Sequence, residues 1–183
     1  LQVDGRGRVL VDAGRRGELK QVLVGLGYPV DDRAGYQEGD RLPFALATET
    51  GFALRDYQQR AAEAFHMGGT DQGGCGVVVL PCGAGKTVVG IAAMHLLQTN
   101  TLVLTTNTVA VRQWVREILA KTGLNEDQVG EYTGEQKEIR PVTVATYQIL
   151  THKKNKLDEF THLDLFDKGG FGLIVYDEVH LLP

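Results

Sequence analysis

The sequence has little of what would set it apart from an ordinary folded domain. It holds only two cysteines, Cys75 and Cys82, one on each side of an apolar run. A pair so placed makes neither a disulfide framework nor a zinc-ligand spacing, so both are read as reduced thiols of a cytoplasmic protein. No apolar stretch approaches the roughly 18 residues needed to cross a membrane, and no leader pattern opens the chain, so no membrane partner is expected. Positive charge is scarce too, with 19 Lys and Arg against 23 Asp and Glu and a net charge of −4. That excludes a uniform basic field, and any contact with nucleic acid has to come from a local patch or from backbone amides. There is no internal repeat and no low-complexity tract. The chain opens on Leu1 and ends on Pro183, and it is expected to be a piece of a longer protein.

With 183 residues, 43% of them hydrophobic, there is material for one full core and a small appended unit. Residues 1–50 read as a small α+β domain. They contain an apolar alternation over Arg8–Asp12 and an amphipathic helix over Gly17–Leu26, with Leu19, Val22, Leu23 and Leu26 on one face. Gly27-Tyr28-Pro29 ends that helix, and the run LPFALAT (Leu42–Thr48) reads as a strand. Residues 51–183 read differently. A helix over Arg55–Met67 and a flexible connector over Gly68–Gly74 lead into alternating strands and helices. These are strand Gly76–Leu80, helix Lys86–Leu97, strand Thr101–Thr105, helix Val109–Lys121, and strands Gln128–Tyr132, Val142–Ala145 and Leu173–Tyr176. Continuous apolar runs are the mark of strands buried on both faces, so the fold class is α/β, a parallel sheet flanked by helices. The charged stretch His152–Asp164, including Lys153-Lys154-Asn155-Lys156, reads as a solvated surface loop.

Three motifs carry chemistry. The first is VVVLPCGAGKTVVG, from Val77 to Gly90. An apolar strand, a glycine-rich turn and a helix start form a phosphate cradle. Gly83 and Gly85 let backbone N–H groups turn inward, Lys86 supplies a point charge, the Thr87 hydroxyl ligates Mg²⁺, and the helix N-terminus adds partial positive charge. Leu80 stands where the usual pattern has its first glycine, with Pro81 able to set the turn differently. The competing reading is a plain glycine-rich strand–helix turn. The second motif is GLIVYDEVH, Gly172–His180, an apolar strand ending in two adjacent carboxylates about 90 residues after the loop. In a phosphate-loop fold Asp177 there holds Mg²⁺ and Glu178 polarises a water. Alone, the pair is equally a solvated strand end. The third is LRDYQ, Leu54–Gln58, where the Gln58 carboxamide can pair with an adenine edge, with Arg55 and Tyr57 beside it. By itself this is an ordinary helix start.

The order of LRDYQ, PCGAGKT, TNTVAVRQW, TGE, VATYQ and DEVH resembles the first RecA-like domain of superfamily 2 DNA helicases. LPCGAGKT and DEVH, with RQW between them, look most like the XPB-type members of transcription and nucleotide excision repair. That family has Pro-Cys before the loop glycines, which removes the objection raised by Leu80. The resemblance covers about residues 53–183, and residues 1–50 resemble, less specifically, a damage-recognition-like DNA-binding domain. It implies a P-loop RecA-like fold and an ATP site formed by Arg55, Gln58 and the loop residues Pro81, Cys82, Gly83, Ala84, Gly85, Lys86, Thr87 and Val88. Mg²⁺ would be held by Thr87 and Asp177, catalysis would rest on Glu178 and Lys86, and His180 would couple hydrolysis to DNA movement. Thr106, Asn107, Gln113, Thr133, Gly134 and Thr146 would line a track for one DNA backbone, without reading sequence. Trp114 and Tyr147 have faces able to stack on bases, but the preferred reading puts them in the core.

The resemblance also marks what this sequence lacks. There is no second RecA-like domain, hence no arginine finger, a contribution worth about 10³–10⁵ in rate in P-loop enzymes. The linking motif that follows the Asp-Glu box is absent. In such folds its strand lies between the phosphate-loop strand and the Asp-Glu strand, so a gap flanked by two apolar edges is expected at the sheet's centre. The expectation is an ATP-dependent DNA helicase or translocase, cytoplasmic and nucleoid-associated in a prokaryote, that works with a second RecA-like domain and with a nuclease or a repair or transcription partner. The alternatives are a translocating subunit of a restriction-type enzyme and an inactive half that only binds nucleotide or a partner.

Overall fold

The computed structural model describes residues 2–3, 5, 8–12, 15–30, 38–70, 73–152, 162 and 164–181. They belong to two compact units, Leu1–Gly35 and Tyr36–Pro183. In the smaller unit β1 (Gln2–Val3) pairs antiparallel with β2 (Val9–Leu10), and helix α1 (Arg16–Gly25) follows. The expected helix is present, but none of its residues is buried, and Val22, Val24 and Leu26 lie exposed.

The larger unit is a four-stranded parallel sheet in the order β4-β5-β3-β6. Its strands are β3 (Thr101–Thr105), β4 (Val129–Tyr132), β5 (Val142–Thr146) and β6 (Leu173–Tyr176). β3 and β5 are buried at every position, their threonines included, as strands covered on both faces are. Successive residues point to opposite faces and feed two cores. Val103, Val142 and Val144 pack with Ile91, Met94, Val111, Trp114 and Ile118 on one side. Leu102, Leu104 and Ala145 pack with Tyr147, Ile149, Leu150 and Leu165 on the other. Helix α3 (Lys86–Leu97) is apolar nearly all round and buries six residues. Ile91 and Met94 alone are 0% exposed, each contributing about 1.5–3 kcal/mol by leaving water. Helix α4 (Thr108–Lys121) buries the stripe Val111, Trp114 and Ile118. Helix α2 (Asp56–His66) packs on α3, and the short helices α5 (Tyr147–Leu150) and α6 (Leu165–Lys168) precede β6. None of the helices among the described residues is long and apolar enough to cross a membrane.

Two strand expectations are corrected. Leu42–Thr48 is extended but forms only the single bridges Arg41↔Thr99 and Leu46↔Thr122 beside it and within it. Pro43 has no N–H to give a ladder. The backbone N–H and C=O of Phe44 are both taken by the Gln98 carboxamide, at 2.9 Å each, rather than by a neighbouring strand. Gly76–Leu80 is likewise no strand, since it pairs with nothing among the described residues. Its apolar, β-branched sequence has the propensity, but a strand also needs a neighbour within hydrogen-bonding distance. Between this segment and β6 lies a cleft of about 600 Å³, walled by Gly76–Leu80 and Leu173–Tyr176 and floored by Phe65, Val89 and Trp114. Val77 and Val79 are 78% and 86% exposed, and Ile174 and Tyr176 on the facing edge are exposed too. The expected gap is present as this cleft, but it lies beyond the edge strand β6 rather than at the centre of the sheet, because Gly76–Leu80 forms no strand. Of the stretch His152–Asp164, all but His152, His162 and Asp164 lies outside the described residues.

Unpaired apolar edges invite pairing with another chain. Residues 1–183 on their own are therefore expected to associate as concentration rises, and a double Val77→Lys, Val79→Lys change should suppress that. Sedimentation velocity over a concentration series tests this. A monomeric species with a cooperative melt and unchanged sequence would overturn it.

Candidate active site

The ladder places the C-terminal ends of all the strands on one edge. β3 pairs with β5 through Thr105↔Thr146 and with β6 through Leu104↔Tyr176. The residues that follow each strand therefore emerge side by side. In order across the edge these are Thr133-Gly134, Thr146, Thr106-Asn107 and Asp177-Glu178.

The phosphate-loop segment Pro81–Gly85 stands before α3, whose first residue, Lys86, reaches Glu178. Gly83 and Gly85 have φ of +77° and +83°, a region that L-residues enter only at a cost. Gly85 is the N-cap residue of α3. The loop is braced from α2: the Tyr57 hydroxyl donates to the Ala84 carbonyl at 2.6 Å and Gln58 Nε2 donates to it at 3.0 Å. Gln58 Oε1 meanwhile accepts the Arg55 backbone N–H at 3.0 Å, so this carboxamide, 5% exposed, spans the start of α2 and the loop. One Gln58 N–H remains beyond these bonds, and Arg55 is exposed beside it.

At the end of β6 the Lys86 ammonium donates to Glu178 Oε1, forming an ion pair across the two motifs. His180 Nδ1 lies 3.5 Å from the other oxygen, Oε2. The hydrogen bond from Lys86 holds the Glu178 carboxyl below the usual carboxylate range, and the same bond raises Lys86 above the usual lysine range. Both groups stay charged at neutral pH. The pairing is lost in acid as Glu178 protonates through its depressed pKa, and in alkali as Lys86 gives up its proton through its raised one. Glu178 also has φ of +52°, a left-handed conformation uncommon for a residue with a side chain. Asp177 is fixed at three points. Its N–H donates to Leu104 O at 2.8 Å. Its carbonyl accepts the Tyr147 hydroxyl at 2.8 Å, and its Oδ2 accepts Trp114 Nε1–H at 2.8 Å. Burial, with the charge of Asp177 second, pushes Tyr147 up to about 12, so its hydroxyl remains a donor.

These residues fit a nucleotide with a divalent cation. Mg²⁺ keeps several waters and takes only one or two protein oxygens beside phosphate. Asp177 has Oδ1 left over, and the half-buried Thr87 hydroxyl has no hydrogen-bond partner among the described residues. Lys86 is an ammonium already paired with an anionic oxygen, the kind of partner a phosphate supplies.

The track residues are placed along the same edge, but several have local duties. Asn107 Oδ1 caps α4 by accepting the Ala110 N–H at 2.9 Å. Thr133, 2% exposed, accepts the N–H groups of Glu135 and Gln136 through its hydroxyl. Thr146 is buried at 7%. Gly134 and Gln113 are exposed, and Thr106 is half-buried. Trp114 and Tyr147 sit in the core, as expected, and are unavailable for stacking on bases. Their bonds to Asp177 were not legible in the sequence, where the only signal was one tryptophan in the whole chain, in RQW.

The loop geometry separates two glycines of similar φ. A Cβ at Gly85 would sit 2.6 Å from Gln58 Nε2, whereas nothing lies within 4 Å of one at Gly83. Gly83→Ala is expected to lower stability by about 1 kcal/mol, from the left-handed backbone alone. Gly85→Ala should add a further loss of about 1–3 kcal/mol, from overpacking against the brace. Urea unfolding of the two variants distinguishes them.

Residues 51–183 match the family model described as "Type III restriction enzyme, res subunit". The chain is 53% identical over 175 residues to a protein of Mycobacterium tuberculosis named DNA 3'-5' helicase XPB, covering 96% of this chain and 30% of the relative. A protein of the same name from Kineococcus radiotolerans is 55% identical over 175 residues, with the same coverage. This chain thus spans about 30% of the length of the curated relatives it matches. Among solved structures, the UvsW helicase from bacteriophage T4 superposes with a TM-score of 0.55 at 16% identity, covering 97% of this chain and 68% of that one. That likeness concerns the fold. By its matched residues and its relatives, the chain belongs to the family of the Type III restriction enzyme res subunit and, within it, to the XPB-type superfamily 2 helicases.

Proposed function

We propose that this chain carries the ATP-binding half of an ATP-dependent DNA helicase or translocase of XPB type, acting in DNA repair or transcription. The observation that carries the reading is the convergence of Lys86, Asp177, Glu178 and His180 beside a glycine loop, with Lys86 and Glu178 in contact although 92 positions separate them.

In this reading the loop Pro81–Val88 binds the phosphates of ATP through its N–H groups from Cys82 to Thr87 and through the Lys86 ammonium. The adenine lies against Arg55 and the remaining N–H of Gln58. Thr87 and Asp177 Oδ1 hold Mg²⁺, which when bound neutralises phosphate charge. Phosphate takes Lys86 away from Glu178, and the freed carboxylate accepts a proton from, and orients, the attacking water, with His180 as its neighbour. The DNA backbone runs along the edge formed by Thr106, Asn107, Gln113, Thr133, Gly134 and Thr146. Because Asn107 Oδ1 and the Thr133 hydroxyl are engaged locally, phosphates there are met chiefly by backbone N–H groups and by Thr106, Gln113 and the Asn107 amide N–H. Of residues 1–50, the compact unit Leu1–Gly35 serves as a small DNA-binding domain, since Tyr36 onward belongs to the larger unit. A second RecA-like domain of a longer protein supplies the missing arginine, and the strand that carries the linking motif fills the cleft between Gly76–Leu80 and β6. The restriction-type translocase subunit is the second reading, favoured by the description of the matching family model. ATPase stimulation confined to one specific DNA sequence would support it.

In the full-length protein, Lys86→Ala should weaken ATP binding by roughly 10–100-fold, the loss of a charge-assisted hydrogen bond. Equilibrium titration with a fluorescent ATP analogue measures it. Glu178→Gln should bind ATP normally and turn it over about 10²–10⁴-fold more slowly. A steady-state ATPase rate near wild type in Glu178→Gln would remove Glu178 from its role as base.

A further inference from the structure

The tryptophan of this chain is buried, 2% exposed, and it spends its one polar atom on a carboxylate. Trp114 lies about two turns into α4, the helix that begins directly after Thr106-Asn107. Its Nε1–H donates to Asp177 Oδ2 at 2.8 Å. The far edge of the ring lies against α3, where a Cβ at Gly90 would stand 2.6 Å from Cη2. The side chain is therefore clamped between the phosphate-loop helix and the carboxylate at the end of β6, and the absence of a side chain at position 90 gives it room. A second aromatic residue completes the hold. The Tyr147 hydroxyl donates to the backbone carbonyl of Asp177 at 2.8 Å, and Tyr147 follows Thr146 directly at the end of β5.

We propose that Trp114 is the positioning residue of Asp177. It takes Oδ2, leaves Oδ1 toward the cation, and with Tyr147 ties the orientation of that carboxylate to α4 and to the end of β5. The physical basis is directional. A carboxylate on a strand end rotates freely about its terminal torsion unless one oxygen is pinned. A buried indole N–H must find an acceptor, and Asp177 is the acceptor it has. Partners that orient a metal-binding group from behind typically change metal affinity by 10–100-fold when removed. Because Trp114 and Tyr147 stand on elements that begin or end at the proposed DNA edge, a displacement of either element by a bound strand reaches Asp177 through a single hydrogen bond. The inference rests on the reading of Asp177 as a cation ligand.

The test uses the full-length protein with Trp114→Phe, which keeps an aromatic ring against Gly90 and removes only the N–H, alongside Tyr147→Phe and Asp177→Asn. A fluorescent ADP analogue is titrated in EDTA and then at increasing Mg²⁺. Trp114→Phe is expected to leave affinity in EDTA unchanged and to raise the Mg²⁺ concentration for half-maximal effect by roughly 10-fold. A shift below twofold in a folded Trp114→Phe protein overturns the proposal. If Asp177→Asn also keeps the wild-type Mg²⁺ dependence, the reading of Asp177 as a ligand fails instead. Should Trp114→Phe not fold, wild-type protein carrying 5-fluorotryptophan decides the matter by ¹⁹F NMR. One resonance should move on adding Mg²⁺ with ADP, and should be displaced in Asp177→Asn without ligand. The absence of any such resonance overturns the proposal.

Discussion

The site depends on the parallel ladder around β3. With Thr105 opposite Thr146 and Leu104 opposite Tyr176, three strands stop together, and the residues that follow them share one edge. A parallel strand that slips by one residue turns its apolar set to the wrong face. Both faces of β3 and β5 are buried in separate cores, so both parities are specified at once. The β3–β6 register that sets Leu104 opposite Tyr176, with Leu173 and Val175 against the same core as Val103, is the one that delivers Asp177 N–H to Leu104 O. Core packing and site geometry are in that sense one constraint.

That coupling explains which parts were readable in sequence. Phosphate-loop chemistry is local: glycines, a lysine and a hydroxyl over a few residues, with the helix that follows. The Asp-Glu pair is equally local, and a run of apolar residues announces the strand that presents it. The sheet elements from β3 to β6 fall where the runs place them. Illegible were the properties that belong to pairs of distant segments. Val77-Val78-Val79 has every local mark of a strand, yet pairing is a property of two chains, and here the neighbouring position is a cleft. Leu42–Thr48 reads as a strand until the Gln98 side chain takes both backbone groups of Phe44. Asn107 and Thr133 look like free polar groups at loop positions, but the same positions are helix starts and turns, which make use of such side chains first.

Gln58 shows the opposite relation, in which structure enlarges a sequence reading. Its amide lies 5% exposed and is bonded to Arg55 N and Ala84 O, so it serves as a strut between α2 and the phosphate loop. Whatever presses on its remaining N–H also presses on Ala84 and on Gly85, where a Cβ would stand 2.6 Å from Gln58 Nε2. In the proposed reading, base recognition and loop conformation would then be carried by one planar group, bonded to Arg55 N and Ala84 O.

The Lys86–Glu178 pair gives the resting site a definite polarity. With Glu178 against Lys86, the cation of the loop is already neutralised and one carboxylate oxygen is taken, although the Glu178 side chain stays 35% exposed. A phosphate competes for Lys86 as a second anion, and with it bound Glu178 can no longer keep the same contact without bringing two negative groups together. Glu178 also has a left-handed backbone, φ +52°, as do Met67 and Gln98, a conformation that persists only while its surroundings hold it. The ion pair to Lys86 is one such restraint and the neighbouring Nδ1 of His180 is another. Releasing the first removes a reason for the strained backbone at the same moment as it frees the carboxylate. In the proposed reading, arrival of phosphate charge and repositioning of the Asp177-Glu178 turn would be a single event, driven by the exchange of one anion for another at Lys86.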